Sequence, residues 1–138
     1  MSIINASIQI NATKQKVWSI ISNLDAEPQY WKGTKKVQTL SQDGNKIIRK
    51  VVLAFRDAEC MQEIRLQPMN QIDVTFTTGV VKGTKIMYLE EKNSVTTLKV
   101  VWDINMTGIL KMFTGMVKNH IKKGTTHALD GIKIKAEE

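Results

Sequence analysis

An α+β fold, in which one antiparallel sheet of seven strands is closed by a long C-terminal helix, follows from three features of this chain. The first is Ser2 to Ile10, where Ile4, Ala6, Ile8 and Ile10 alternate with Asn5, Ser7, Gln9 and Asn11; period two marks a strand buried on one face. The second is a run of alternating, β-branched segments from Thr34 to Asn105, broken only by turn residues, the texture of an antiparallel meander. The third is a proline-free tail, Gly108 to Glu138, whose apolar residues recur at helical spacing.

In chain order, Thr13 suits an N-cap, and Val17, Ile20, Ile21 and Leu24 then recur at i, i+3, i+4 and i+7, which predicts a short helix to about Asn23. Asp25 can cap a second short helix, with Pro28 tolerated in its first turn and Gly33 ending it. Strands are expected at 34–41, 46–55, 58–67, 71–78, 82–91 and 94–105. The turns between them are Gln42-Asp43-Gly44-Asn45, Pro68-Met69-Asn70, Thr78-Gly79 and Lys92-Asn93-Ser94. No repeat, linker or low-complexity tract interrupts the series, so residues 1–138 read as one domain.

Alternation assigns faces, although a slip of one residue inverts them all. Cys60, Gln62, Ile64 and Leu66 are placed inward, as are Ile72, Val74 and Phe76, and Leu98, Val100, Trp102 and Ile104; Tyr88 is expected with them. Within 46–55 both registers stay open. Either turns one cation, Arg49 or Lys50, to the concave side, where it reaches solvent along its stem or anchors an acidic or polar ligand head.

At about 100° per residue, the tail turns Ile109, Phe113, Met116, Val117, His120, Ile121, Gly124, Ala128, Gly131 and Ile134 to one face and Lys111, Lys118, Lys122, Thr125 and Lys133 to the other. The apolar face is unusual in holding both histidines and several small residues. Gly124, Ala128 and Gly131 remove volume where bulk is expected, which leaves room for a ligand or for close packing on the sheet.

Composition narrows the function classes. Hydrophobic residues make up 42% and charged ones 24%, ordinary for a globular domain, and no window approaches a membrane span. The N-terminus lacks the pattern of a secretory signal and Cys60 is the single cysteine, so a cytoplasmic location without disulfides is expected. The net charge is +7, but only Arg49, Arg56 and Arg65 among the cations are arginine. Scattered lysines read first as solvated surface, then as a means of approach to an anionic membrane; nucleic acid is disfavoured.

The order of elements, together with INATKQKVWSIISNLDAEPQYWKGTKKVQTL, with Val17-Trp18 on the first helix and Tyr30-Trp31 at the corner, resembles the SRPBCC or START-like superfamily, in its polyketide cyclase/dehydrase-like branch. That resemblance implies a helix-grip fold and a cavity between the inner sheet face and the final helix. It implies binding or transport of a hydrophobic small molecule such as a lipid, quinone or polyketide. One alternative is a cyclase- or dehydrase-like enzyme using a cavity histidine, and another is a ribosome- or protein-interaction domain. Fold alone assigns no chemistry.

The expected ligand contacts are Trp31, Arg49, Gln62, Phe76, Tyr88, Trp102, Phe113, Val117, His120, Gly124, His127 and Ala128. His120 and His127 are the only catalytic candidates, as general acids or hydrogen-bond donors. They are seven positions apart, about 10.5 Å along a helix, too far to share one metal, and no further His or Cys pair is present; neither metal nor cofactor is expected. Cys60, alone on a strand, reads as a small buried hydrophobe.

Overall fold

Apolar residues at every second position bury one face of a strand, so a sheet built largely of such strands needs a cover, and the amphipathic tail supplies it. The structure, a computed structural model, describes residues 2–138. Strand β1 (Ser2–Ile10) leads through α1 (Lys14–Ile21), a 3-10 turn (Leu24–Ala26) and α2 (Glu27–Tyr30) to β2 (Thr34–Asp43). The meander continues as β3 (Lys46–Leu53), β4 (Glu59–Gln67), β5 (Gln71–Thr78), β6 (Val81–Lys92) and β7 (Val95–Met106). A second 3-10 turn (Gly108–Phe113) then opens α3 (Thr114–Ala136). The strands lie in the order β1-β7-β6-β5-β4-β3-β2, each antiparallel to its neighbours, which is the helix-grip architecture.

Thr13 caps α1 as expected, accepting a hydrogen bond from the Lys16 amide. Asp25 does not cap the second helix: it lies inside the 3-10 turn, and the cap position of α2 is Ala26. The tail is not one continuous α-helix, because Gly108–Phe113 winds more tightly and α3 starts at Thr114. Of the hairpin turns, Asn93-Ser94 has positive φ at both residues (52° and 64°), the twist that matches a two-residue connection.

The core joins Ile10, Val51, Ile64, Ile72, Leu98, Val100 and Ile104 of the sheet to Leu110, Ala128, Leu129 and Ile132 of the tail. Each large side chain contributes about 1.5–3 kcal/mol on burial. Directly paired residues share a face, and the pairings Ile64 with Val74, Ile72 with Met87, and Met87 with Val100 carry one apolar face across the sheet. Register shifts in β2 and at Met61/Gln62 add twist at that end.

Helix α3 is rotated by roughly a quarter turn, at 100° per residue, from its expected orientation. Its buried residues are Val117, Thr125, Ala128, Leu129, Ile132 and Ala136; Ile109, Met116 and Ile134, expected inside, are exposed. The cause is that α3 packs against α1, α2 and β1 together, so its most buried stripe faces that junction. Thr125, expected in solvent, accepts a hydrogen bond from Trp102 Nε1 (3.1 Å) and donates to the Ile121 carbonyl (2.7 Å). No helix among the described residues is long and apolar enough to cross a membrane.

Candidate functional site

Between the sheet and the first half of α3 lies a cavity of about 560 Å³. Its wall is largely apolar, with Trp31, Leu53, Phe55, Val74, Phe76, Val81, Trp102, Leu110, Val117 and Ile121 around it. The aromatic rings are mutually packed: Trp102 stacks on Phe76 with centroids 6.2 Å apart and meets Trp31 edge-on at 6.1 Å. Gly124 lines this space, and a Cβ there would touch nothing within 4 Å. Gly131 serves another purpose, since a Cβ would come within 3.3 Å of the Tyr30 ring. Of the small residues on α3, only Gly124 leaves volume to the cavity.

The inner wall carries charge. Arg49, only 1% exposed, points inward from the middle of β3 and so settles that strand's register: Ile47, Arg49 and Val51 face in. It does not reach solvent. Its Nη2 donates to Glu27 Oε1 at 2.7 Å, its Nε to Gln62 Oε1 at 2.7 Å, and its Nη1 to the Leu24 carbonyl at 3.4 Å. The guanidinium thus ties the helical corner to the sheet, with both partners in place for its fork. Burial pushes the Glu27 carboxyl up, but the charges of Lys85 and Arg49 and the hydrogen bond from Arg49 outweigh it and hold the group below its ordinary range.

Lys85 is the feature missed in the sequence. It is 4% exposed, its Nζ sits 3.2 Å from the Trp31 ring centroid and 4.9 Å from that of Trp102, and it borders the cavity. Among the described residues no hydrogen bond or ion pair engages this ammonium, and no buried polar side-chain atom is sealed off without a partner; Nζ opens into the cavity. Burial lowers its pKa to about 8, with Glu27 opposing that shift and Arg49 reinforcing it.

The sheet register explains this grouping. Arg49 pairs with Gln62, Gln62 with Phe76 and Phe76 with Gly83, forming one row; Val74, Lys85 and Trp102 form the next row on the same face. Gly83 is needed in the first row, because its φ is +121° and a Cβ would lie 2.1 Å from the Asp103 carbonyl oxygen.

Of the expected contacts, Trp31, Arg49, Gln62, Phe76, Trp102, Val117, His120, Gly124 and His127 border the cavity. Tyr88 does not. Met87 and Leu89 face inward, so Tyr88 lies on the outer face of β6, where Lys99 approaches its ring at 5.7 Å. Phe113 packs against Phe55 beside the cavity, centroids 6.1 Å apart, and Ala128 is sealed in the core under α3; neither lines the space. His120 and His127 are exposed residues of the rim, not buried ones. Lys50 also falls outside the lining, pairing with Glu59 at 3.6 Å. Cys60 is buried, and burial raises its thiol pKa, which disfavours a nucleophilic role. Among the described residues no cluster of His, Cys, Asp and Glu has the arrangement of a metal site.

Residues 10–130 match the sequence profile of the family described as polyketide cyclase / dehydrase and lipid transport. A solved protein of Thermus thermophilus superposes with a TM-score of 0.83 at 12% identity, covering 98% of this chain and 97% of that one. The Zhui aromatase/cyclase from a Streptomyces species gives 0.80 at 12% identity, covering 99% and 93%. A START superfamily protein from Mycobacterium smegmatis gives 0.69 at 16% identity, covering 94% and 98%. No curated protein matches the chain in sequence.

Proposed function

The chain belongs to the polyketide cyclase / dehydrase and lipid transport family, and from that premise we propose that it binds a hydrophobic small molecule, a lipid, quinone or polyketide-like compound, between the sheet and α3. The observation that carries this reading is the cavity itself. Its volume of about 560 Å³ lies within the roughly 300–1,000 Å³ of small-molecule sites, in an interior where close packing is the rule. Gly124 supports it, since a side chain there would occupy the space at no steric cost.

Trp31 and Trp102 line the cavity while Trp18 does not, so occupancy should alter the fluorescence of two of the three tryptophans. Native mass spectrometry of protein purified without denaturation, followed by fluorescence titration with hydrophobic probes, is the test. The expected result is a co-purifying or added ligand bound one to one; an empty protein whose tryptophans ignore every apolar probe overturns the reading.

A catalytic reading of the same cavity, of the aromatase/cyclase kind that one structural neighbour is named for, draws support from Lys85 more than from the histidines. Lys85 is an interior group titrating near neutrality at about 8, suited to proton transfer or to stabilising an enolate. His120 and His127 are on the rim, with no hydrogen bond to orient them among the described residues. Replacing both by Gln should then leave any turnover of a polyketone substrate within about twofold, whereas loss of turnover would return the histidines to the chemistry.

A further inference from the structure

The ionisable side chains bordering the cavity are Glu27, Lys32, Arg49, Lys85, Lys123, His120 and His127. Four are lysine or arginine and one is a carboxylate, and that carboxylate is already engaged by Arg49 at 2.7 Å. Lys32 and Lys123 are exposed at the mouth. Inside, Glu27 is in contact with Arg49 and Lys85 has no ion-pair contact among the described residues, so one carboxylate faces two cations and the interior keeps one net positive charge. An unpaired buried charge is unfavourable, and the aromatic faces beneath it offset only part of that. Trp31 and Trp102 occupy the protein side of the ammonium, so its open direction is the cavity. Gln62 lies nearby in the adjacent row with its Oε1 turned to Arg49, which leaves its Nε2 as a further donor on the cavity wall.

We propose that the cavity selects an amphipathic monoanion bound head inward, its anionic oxygen, a carboxylate or an enolate, on the Lys85 ammonium and its apolar body along Phe55, Val117 and Ile121 toward the mouth. This rests on the ligand-binding reading above and narrows it to a chemical class. One negative charge completes the interior balance of Glu27, Arg49 and Lys85, while a dianion would leave it overcharged. The charge-assisted contact forms where water is excluded, so the anion outcompetes its neutral analogue.

The test is calorimetric titration of the full chain near neutral pH with two matched pairs, decanoate against decanol and 2-naphthoate against methyl 2-naphthoate. The carboxylate of at least one pair should bind about tenfold or more tightly than its neutral partner, and the better pair distinguishes an aliphatic from a planar aromatic body. In Lys85→Met and Lys85→Gln the acid-to-neutral ratio should fall to about one. Equal affinities of acid and neutral partner in the unmodified protein overturn the inference and leave the hydrophobic-ligand reading standing. A preference that survives both substitutions assigns the anion to Lys32 or Lys123 at the rim, and also overturns it. Failure of every probe to bind removes the inference together with the reading beneath it.

Discussion

Lys85 carries a charge in a place that disfavours charge, and its titration makes this measurable. Its pKa is lowered to about 8 from the ordinary 10.5, first by burial. Below pH about 8 the folded protein holds a desolvated ammonium, a penalty of roughly 3 kcal/mol at 1.36 kcal/mol per unit. Between about 8 and 10.5 the unfolded chain binds more protons than the folded one, so this penalty fades as pH rises. Lys85→Met should therefore stabilise the empty protein near pH 7 by about 1–3 kcal/mol, after allowing for the lost contact with Trp31. In urea denaturation the gap between variant and parent should narrow as pH passes from about 8 to about 10.5; a pH-independent gap would refute the assignment. The Glu27–Arg49 pair behaves oppositely. Arg49→Met alone leaves a buried carboxylate and should cost about 3–5 kcal/mol, whereas Glu27→Gln with Arg49→Met should restore most of that. A double-mutant cycle measures the difference, and additive losses would mean that the pair is not coupled.

At the scale of elements, α3 separates glycine as space from glycine as contact. Gly124→Ala meets no neighbour within 4 Å, while Gly131→Ala presses on Tyr30 at 3.3 Å. The helix-propensity gain of about 1 kcal/mol should thus appear in the melting temperature of Gly124→Ala and be reduced or lost in Gly131→Ala. Gly124→Leu should fold and block the cavity; undiminished ligand binding by that variant would place the ligand elsewhere. Strands were the most legible elements, because period-two alternation and Asp-Gly or Asn-Ser turns are local signals. The face of β6 was legible too, through its turn. Asn93-Ser94 as a two-residue loop pairs Lys92 with Val95, and counting back from Trp102 reaches Lys85, not Tyr88. Alternation within β6 alone hides this, since Tyr88 looks more like a pocket residue than a lysine does. The rotation of α3 had no such local signal: which side of an amphipathic helix is most buried depends on what flanks it, and α1 and α2 come from distant sequence.

Taken whole, the molecule combines a charge of +7 with exposed apolar side chains on the segment beside the cavity mouth. Met112 is 82% exposed, and Ile109 and Met116 are about half exposed, with Lys111, Lys118 and Lys122 around them. This rim predicts co-sedimentation with vesicles containing anionic lipid and little with neutral ones, weakened by salt over the range in which screening acts; equal binding to both would refute an electrostatic approach. The sequence by itself determined the α+β class, the order of strands and helices and the inward face of most strands, because periodicity and turn chemistry act over a few residues. The cavity that Trp31, Gln62, Phe76, Trp102 and Gly124 border was implied only by the family resemblance. Only the tertiary structure decided that Arg49 is paired with Glu27, that both histidines stand at the rim, and that Lys85 is left inside without an ion-pair contact. Pairing of buried charges is set by which side chains the fold brings within a few ångströms, and Glu27, Arg49 and Lys85 come from a helix and two strands far apart in the chain.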